Sequence, residues 1–234
     1  MGLFSISLGR PKDYDEMLNK IALGSFATCT VCLKVLANAN PLISELLNKG
    51  NWKLDFYGIE NIPFLYITIP LIVAVLFRSV KFHDMISDIF RLREKFDILE
   101  ILIPMLGELN LSVNYERLSK IKKNRDHFMA SVFYKYAGSQ NPRIEKHIIY
   151  SALDKWTWFW ILIESTFLFL VTSIILCFSH SYSEAVLFSF LSILGIILFS
   201  FSSHICSGIA KVEVIEILKT KKNREEITKE FNAL

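Results

Sequence analysis

Four stretches of this 234-residue chain are apolar over lengths that approach or exceed a bilayer, and polar, mostly basic segments separate them. A helix needs about 20 predominantly apolar residues to cross the hydrocarbon core. The first stretch, Ile21 to about Asn38, is interrupted by Lys34. The second, Ile62 to Phe77, contains Pro63 and Pro70 and stops at Arg78. The third, Trp156 to Phe178, and the fourth, Ala185 to about Cys206, hold one carboxylate between them, Glu164, and no lysine or arginine. None shows the period-two alternation of a barrel strand, so all four read as helices.

Lysine and arginine set the expected orientation. Residues 78–155 carry 14 of them and the tail from Lys211 carries six. The SHSYSE hairpin after the third stretch carries none, and Ala39 to Glu60 has only Lys49 and Lys53. With Arg10, Lys12 and Lys20 ahead of the first stretch, every strongly basic region lies on one side if both termini are cytoplasmic. Trp156, Trp158 and Trp160, beside Lys155, are then expected as an aromatic anchor at the inner interface. The expected divisions are an N-terminal segment (1–20), two spans with an outer loop (21–78), a basic cytoplasmic helical region (79–155), two further spans (156–206) and a C-terminal cytoplasmic helix (207–234). The fold class is all-α: an integral membrane protein of four transmembrane helices whose long cytoplasmic extensions form a cytosolic bundle.

The helices are expected to outrun the membrane. Asn141-Pro142 pairs a capping side chain with a proline at the first helical position. One helix from Arg143 to Phe178 would be roughly 54 Å long at about 1.5 Å per residue. The second and fourth spans are expected to run on through MISDIFRLREKFDILEILI and KVEVIEILKTKKNREEITKEF. Tyr115, Leu118, Ile121, Phe128, Met129, Val132, Phe133 and Tyr136 recur at helical spacing, with Gly138 as the stop. Phe96 to Leu106 suits either a cytoplasmic core or a helix lying on the membrane surface.

Composition agrees with a membrane protein: 52% of residues are hydrophobic and only 21% charged, too apolar for an ordinary soluble domain. Cys29, Cys32, Cys177 and Cys206 all fall in apolar runs, which excludes a secreted disulfide framework. The N-terminus lacks the basic and apolar regions of a signal peptide, and Ile6 stands where myristoylation needs Ser or Thr. No phosphate loop, dinucleotide fingerprint, zinc-protease helix or nucleophile elbow is present, so the expectation is a non-enzyme with no catalytic residues, metal or cofactor. His83, His127, His147, His180 and His204 lack ligand spacing and read as interfacial or surface residues.

Glu164, in WILIESTFLFL, is the most informative residue. A carboxylate at membrane depth costs a few kcal/mol against lipid, so it should face the bundle or water, as a hydrogen-bonding anchor or a pore group. Lys34 is expected to snorkel toward the outer interface, with a Lys34–Glu164 pair as the alternative. Ser189, Ser192, Gly195 and Ser202 share a face of the fourth span with Phe199 and Cys206, suited to close packing or to lining a narrow path. Arg91, Arg93, Lys120, Lys122, Lys123 and Arg125, near Tyr134 and Tyr136, suit anionic lipid heads or a phosphate-bearing ligand.

This plan, with the stretches RLREKFDILEILIP and FYKYAGSQNPRIEKHIIYSALDKWTWFWILIE and the fourth-span serines, resembles small four-span membrane effectors of bacterial antiviral defence, such as the Hailong-type defence channel. The resemblance implies a tetrameric channel in the bacterial inner membrane, controlled by a nucleotide or oligonucleotide, that depolarises infected cells. The expected function is therefore an oligomeric pore gated from the cytoplasm. The alternative is a membrane-anchored sensor or scaffold that recruits a cytoplasmic partner protein, and a small transporter ranks third.

Overall fold

The computed structural model describes residues 9–49, 53–56, 59–140 and 142–233. In chain order the elements are α1 (Tyr14–Ala39), α2 (Pro41–Asn48), a hairpin of β1 (Lys53–Phe56) and β2 (Ile59–Pro63), α3 (Leu65–Ser79) and α4 (Phe82–Phe90). Next, α5 (Leu92–Phe96) continues through a π-helical turn (Asp97–Leu102) into α6 (Ile103–Glu108). Then α7 (Tyr115–Lys123) leads to α8 (Arg125–Phe128), a second π-helical turn (Met129–Tyr134) and α9 (Lys135–Ala137). Three helices complete the chain: α10 (Lys146–Phe178), α11 (Tyr182–Ile217) and α12 (Lys221–Asn232). Among the described residues the antiparallel hairpin, paired Lys53↔Pro63, Leu54↔Ile62 and Phe56↔Ile59, is the one departure from an all-α fold.

Caps and backbone reversals explain most of these boundaries. Asn40 accepts the N–H groups of Leu42 and Ile43, and Pro41 follows at the first helical position of α2. This is the device expected at Asn141-Pro142; Asn141 lies outside the described residues, and α10 begins at Lys146 rather than Arg143. Ile62 and Pro63 belong to β2, so the second apolar stretch becomes helical only from Leu65. The expected run-on beyond that stretch is broken twice, at Lys81 (φ 49°) and Arg91 (φ 51°). Both adopt the left-handed conformation that glycine usually supplies, so the sequence carries no breaker signal there. The run-on beyond α11 is also interrupted, because Thr220 caps a separate α12 by accepting the Asn223 N–H at 3.4 Å.

α1, α10 and α11 are each long and apolar enough to cross a membrane. α3 and α4 meet that criterion only together, with a bend of 56° at their break. By helix length and hydropathy this is a multi-pass membrane protein with three spans, or four if the bent pair is one.

Two compact units share the long helices. The first comprises residues 1–17, 84–156 and 202–234, insofar as they are described. Its core joins Leu102, Met105 and Leu106 to Ile121, Met129 and Val132, all at most 2% exposed, and to Ile217 and Phe231 from the C-terminal helices. Phe128 stacks on Phe231 at 5.4 Å between ring centres. The apolar segment from Phe96 to Leu106 is therefore core, not a helix laid on a surface. Of the eight residues expected along the 115–136 stripe, Ile121 through Tyr136 are buried, while Tyr115 is exposed and Leu118 half-buried.

The second unit comprises Leu18–His83 and Thr157–Phe201. Its α10 and α11 pack at close range through small and hydroxyl residues. Ser173 donates to the Ala185 carbonyl at 2.9 Å and lies 2.7 Å from the Ser189 hydroxyl. Further along, Gly195 abuts Thr166 and Phe159 meets Phe199 at 5.0 Å. The hairpin joining α10 to α11 turns at His180 (φ 58°) and is tied to the α1–α2 junction, where Asn40 donates to Ser179 at 2.9 Å.

The three tryptophans have different surroundings. Trp158 is exposed, but Trp160 is buried in the second unit and Trp156 packs edge-on against Phe96 in the first at 4.6 Å. Helical geometry sends residues two apart to different faces, so three tryptophans at this spacing cannot share one surface.

Candidate functional site

Glu164 is 1% exposed and sits in the second unit among groups from three parts of the chain. Its approach to α1 is made possible by Gly24, where a Cβ would come within 2.9 Å of the Ile161 side chain. With the helices that close, the neighbouring Ser25, fully buried, donates its hydroxyl to Glu164 Oε2. One turn along, the Thr28 and Ser165 hydroxyls share a hydrogen bond at 2.8 Å. The third contributor is His83, 2% exposed, whose Nδ1 lies 3.7 Å from Glu164 Oε1. Its ring also tilts against Trp160 at 5.4 Å.

His83 reaches this position for local reasons. The left-handed Lys81 lies at the 56° break between α3 and α4, two residues ahead of it. Phe82 is then stacked on Phe77 at 4.1 Å and set edge-on against Phe167 of α10 at 4.9 Å, which pins the start of α4 to that helix. Glu164 Oε1 is buried and makes no hydrogen bond, since the 3.7 Å separation from the imidazole exceeds the roughly 3.2 Å limit. A buried carboxylate oxygen without a donor is costly in any low-dielectric setting, and most so among membrane spans.

The other sequence candidates are placed as follows. Lys34 is exposed and holds its ammonium 5.5 Å from the Tyr66 ring, apart from Glu164's bonded partners. Ser189 and Gly195 face α10 within the chain, and the buried Ser192 donates to the Phe188 carbonyl at 2.9 Å. Ser202 is half-buried in the first unit.

In the first unit most basic candidates lie beside carboxylates. Arg93 approaches Asp84 at 3.8 Å and donates to the Tyr134 hydroxyl at 3.5 Å. Arg125 lies 3.7 Å from Asp97 and donates to Asp126 at 3.0 Å. Lys120 pairs with Glu116 at 2.9 Å and Arg91 approaches Glu94 at 4.0 Å. Tyr136 is fully buried and donates its hydroxyl to Glu226 at 2.9 Å. Lys122 and Lys123 are exposed. The structure thus brings Arg93, Arg125 and Tyr134 into one neighbourhood, but around acidic groups. Burial pushes the Asp97 carboxyl up to about 6, against the opposing pull of Arg93 and Arg125.

Sequence reasoning missed His83 and Ser25. The only signals were the presence of Glu164, which demands a partner, and the Gly24-Ser25 pair, small enough to admit a neighbouring helix. Neither names which histidine or serine responds.

The fold and this cluster define a multi-pass helical membrane protein with a buried ionisable centre in its apolar unit. The sequence model of the YmfE protein family matches residues 13–231, and the chain belongs to that family. No curated protein and no solved structure matches it.

Proposed function

We propose that this protein is an oligomeric ion-conducting effector of the bacterial inner membrane, gated from the cytoplasm. The observation that carries the reading is Glu164: a carboxylate among spanning helices, 1% exposed, with one oxygen lacking a donor. Ionisable groups at that depth are rare and mark ion or proton pathways. The chain spans four times in this reading, counting α3 and α4 as one broken span, with both termini and the basic 79–155 region in the cytoplasm as a helical bundle.

A chain of this size leaves little room for a private conduction path, so symmetry supplies it, with a tetramer as the working stoichiometry. Ser189 and Gly195 then set the α10–α11 spacing, and the broad apolar face of α11 is left for lipid and neighbouring copies. The resemblance to four-span antiviral effectors supports a role in abortive defence, with a nucleotide or oligonucleotide at the basic surface as regulator. No catalysis is invoked.

The test is planar-bilayer conductance of purified protein, wild type beside Glu164→Gln. Discrete conductance steps altered in the variant support the reading. A bilayer that stays silent with and without oligonucleotides and cell lysate sinks it. The second reading, a membrane-anchored sensor or scaffold, is favoured by the extensive separate core of the first unit. It expects Glu164→Gln to be indifferent and the first unit to retain a cytoplasmic protein partner.

A further inference from the structure

We propose that Glu164 and His83 together form a proton-binding site among the spans, so that the ion this centre takes is a proton. The proposal deepens the reading above and rests on Glu164 as its ion-path group.

Charge counting comes first. The pair is almost wholly buried, with the imidazole nitrogen and the free carboxylate oxygen 3.7 Å apart. With one proton between them the pair is neutral overall, either as carboxylic acid and imidazole or as carboxylate and imidazolium. With no proton it carries a net negative charge, and with two a net positive one. Either net charge costs several kcal/mol in a low-dielectric interior, so the one-proton state is the stable occupancy. The proton's position then belongs to the pair rather than to one residue. Moving the two groups together by less than about 1 Å would make an ordinary hydrogen bond along which it can pass.

The ligand set favours a proton over a metal cation. Oxygen-seeking cations such as calcium or magnesium take about six or more oxygen ligands. Here the Ser25 hydrogen points at Glu164 Oε2, a ring nitrogen faces Oε1, and the Thr28 and Ser165 hydroxyls satisfy each other. Among the described residues no group of three or more His, Cys, Asp or Glu side chains is placed to hold a metal ion.

The remaining ionisable groups of the packed elements are few. Within the second unit, α1 carries Lys20, Cys29, Cys32 and Lys34, and α3 carries Tyr66 and Arg78. The Arg78 Nε is buried without a hydrogen bond, and Lys34 lies over Tyr66. Lys81 immediately precedes α4 and is exposed. α10 adds only Cys177 to Glu164, and α11 in this unit has Tyr182 and Glu184 at its start. On α4 itself His83 is followed by Asp84, which approaches Arg93 at 3.8 Å, and by Asp88, and α2 carries Glu45.

The test is infrared difference spectroscopy of the full-length protein in lipid bilayers, recorded as a pH titration. Supporting the proposal, a carboxyl change is lost in Glu164→Gln, and its midpoint moves by about one pH unit or more in His83→Gln. Ser25→Ala, which keeps both titrating groups, is expected to move it as well, and serves if His83→Gln fails to elute as a folded species. The proposal is overturned if no Glu164 carboxyl change occurs, or if its course is the same in wild type, His83→Gln and Ser25→Ala. A coupled titration in a protein that never conducts overturns the channel reading alone. Conductance without a coupled titration overturns the proton site alone.

Discussion

Gly195 lies so close to Thr166 that a methyl group on its Cα would strike the threonine hydroxyl oxygen and fall 3.1 Å from its Cβ. The threonine cannot easily yield, because its hydroxyl donates to the Leu162 carbonyl at 2.7 Å. This contact sets the separation of α10 and α11, and the hydroxyl pair of Ser173 and Ser189 depends on that separation.

Gly195→Ala should therefore force the two helices apart and cost about 1–3 kcal/mol, the usual range for overpacking a close contact. Thermal unfolding in detergent reads it as a lowered midpoint. Adding Thr166→Ala should restore most of the loss, because it removes the atoms struck. Gly208, on the same helix, has no atom within 4 Å of the position its Cβ would take. Gly208→Ala should be neutral or slightly stabilising by helix propensity. Equal midpoints for Gly195→Ala and Gly208→Ala would mean the close contact does not exist.

Asp97 predicts a pH dependence for the first unit. Burial raises its carboxyl from the ordinary 3.8 to about 6, and Arg93 and Arg125 only partly counter it. The folded chain then binds this proton more tightly than the unfolded chain does. The group's contribution is thus fully present below about pH 4 and is lost as the pH climbs through 6, on the order of 3 kcal/mol in all. Asp97→Asn should flatten that part of the profile, so that its unfolding midpoint relative to wild type rises between about pH 4 and pH 7. A parallel pair of profiles would rule out a buried, tightly protonated Asp97.

Tyr136 joins α9 to α12. Its ring is fully buried and its hydroxyl donates to Glu226 at 2.9 Å, where Lys135 also arrives at 3.1 Å. Together they hold the Glu226 carboxyl below its usual range, the tyrosine bond being the larger cause. Tyr136→Phe should leave the core intact and loosen α12 alone, raising amide exchange there by roughly fivefold, about what one net hydrogen bond contributes. Exchange raised equally in α6 would show instead that the ring, not the hydroxyl, was disturbed.

Much of the helical plan was legible because hydropathy and capping are properties of neighbouring residues. Cys206 lies within α11 as well as within the fourth apolar stretch, and Phe178 ends α10 where the third stretch ends. The demand that Glu164 be enclosed was also legible, since the cost of a carboxylate against lipid needs no knowledge of its neighbours. The breaks at Lys81 and Arg91 were not, because left-handed lysine and arginine persist only when surrounding contacts compensate their strain. Neither were the π-helical turns at Asp97–Leu102 and Met129–Tyr134, whose i→i+5 bonding widens the turn and so shifts which side chains reach the core.

By itself the sequence determined that this is a helical membrane protein, roughly where its helices run, and that one buried carboxylate needs company. Those are consequences of transfer free energy summed along the chain. Only the tertiary structure decided that the company is Ser25 and His83, that Ser189 and Gly195 of the fourth span meet α10, and that most of the basic candidates lie beside acids. Each of these depends on which distant segments meet. Such meetings are selected by packing, through Gly24, Gly195 and the Phe77–Phe82–Phe167 cluster, and packing is a property of pairs that no single stretch of sequence contains.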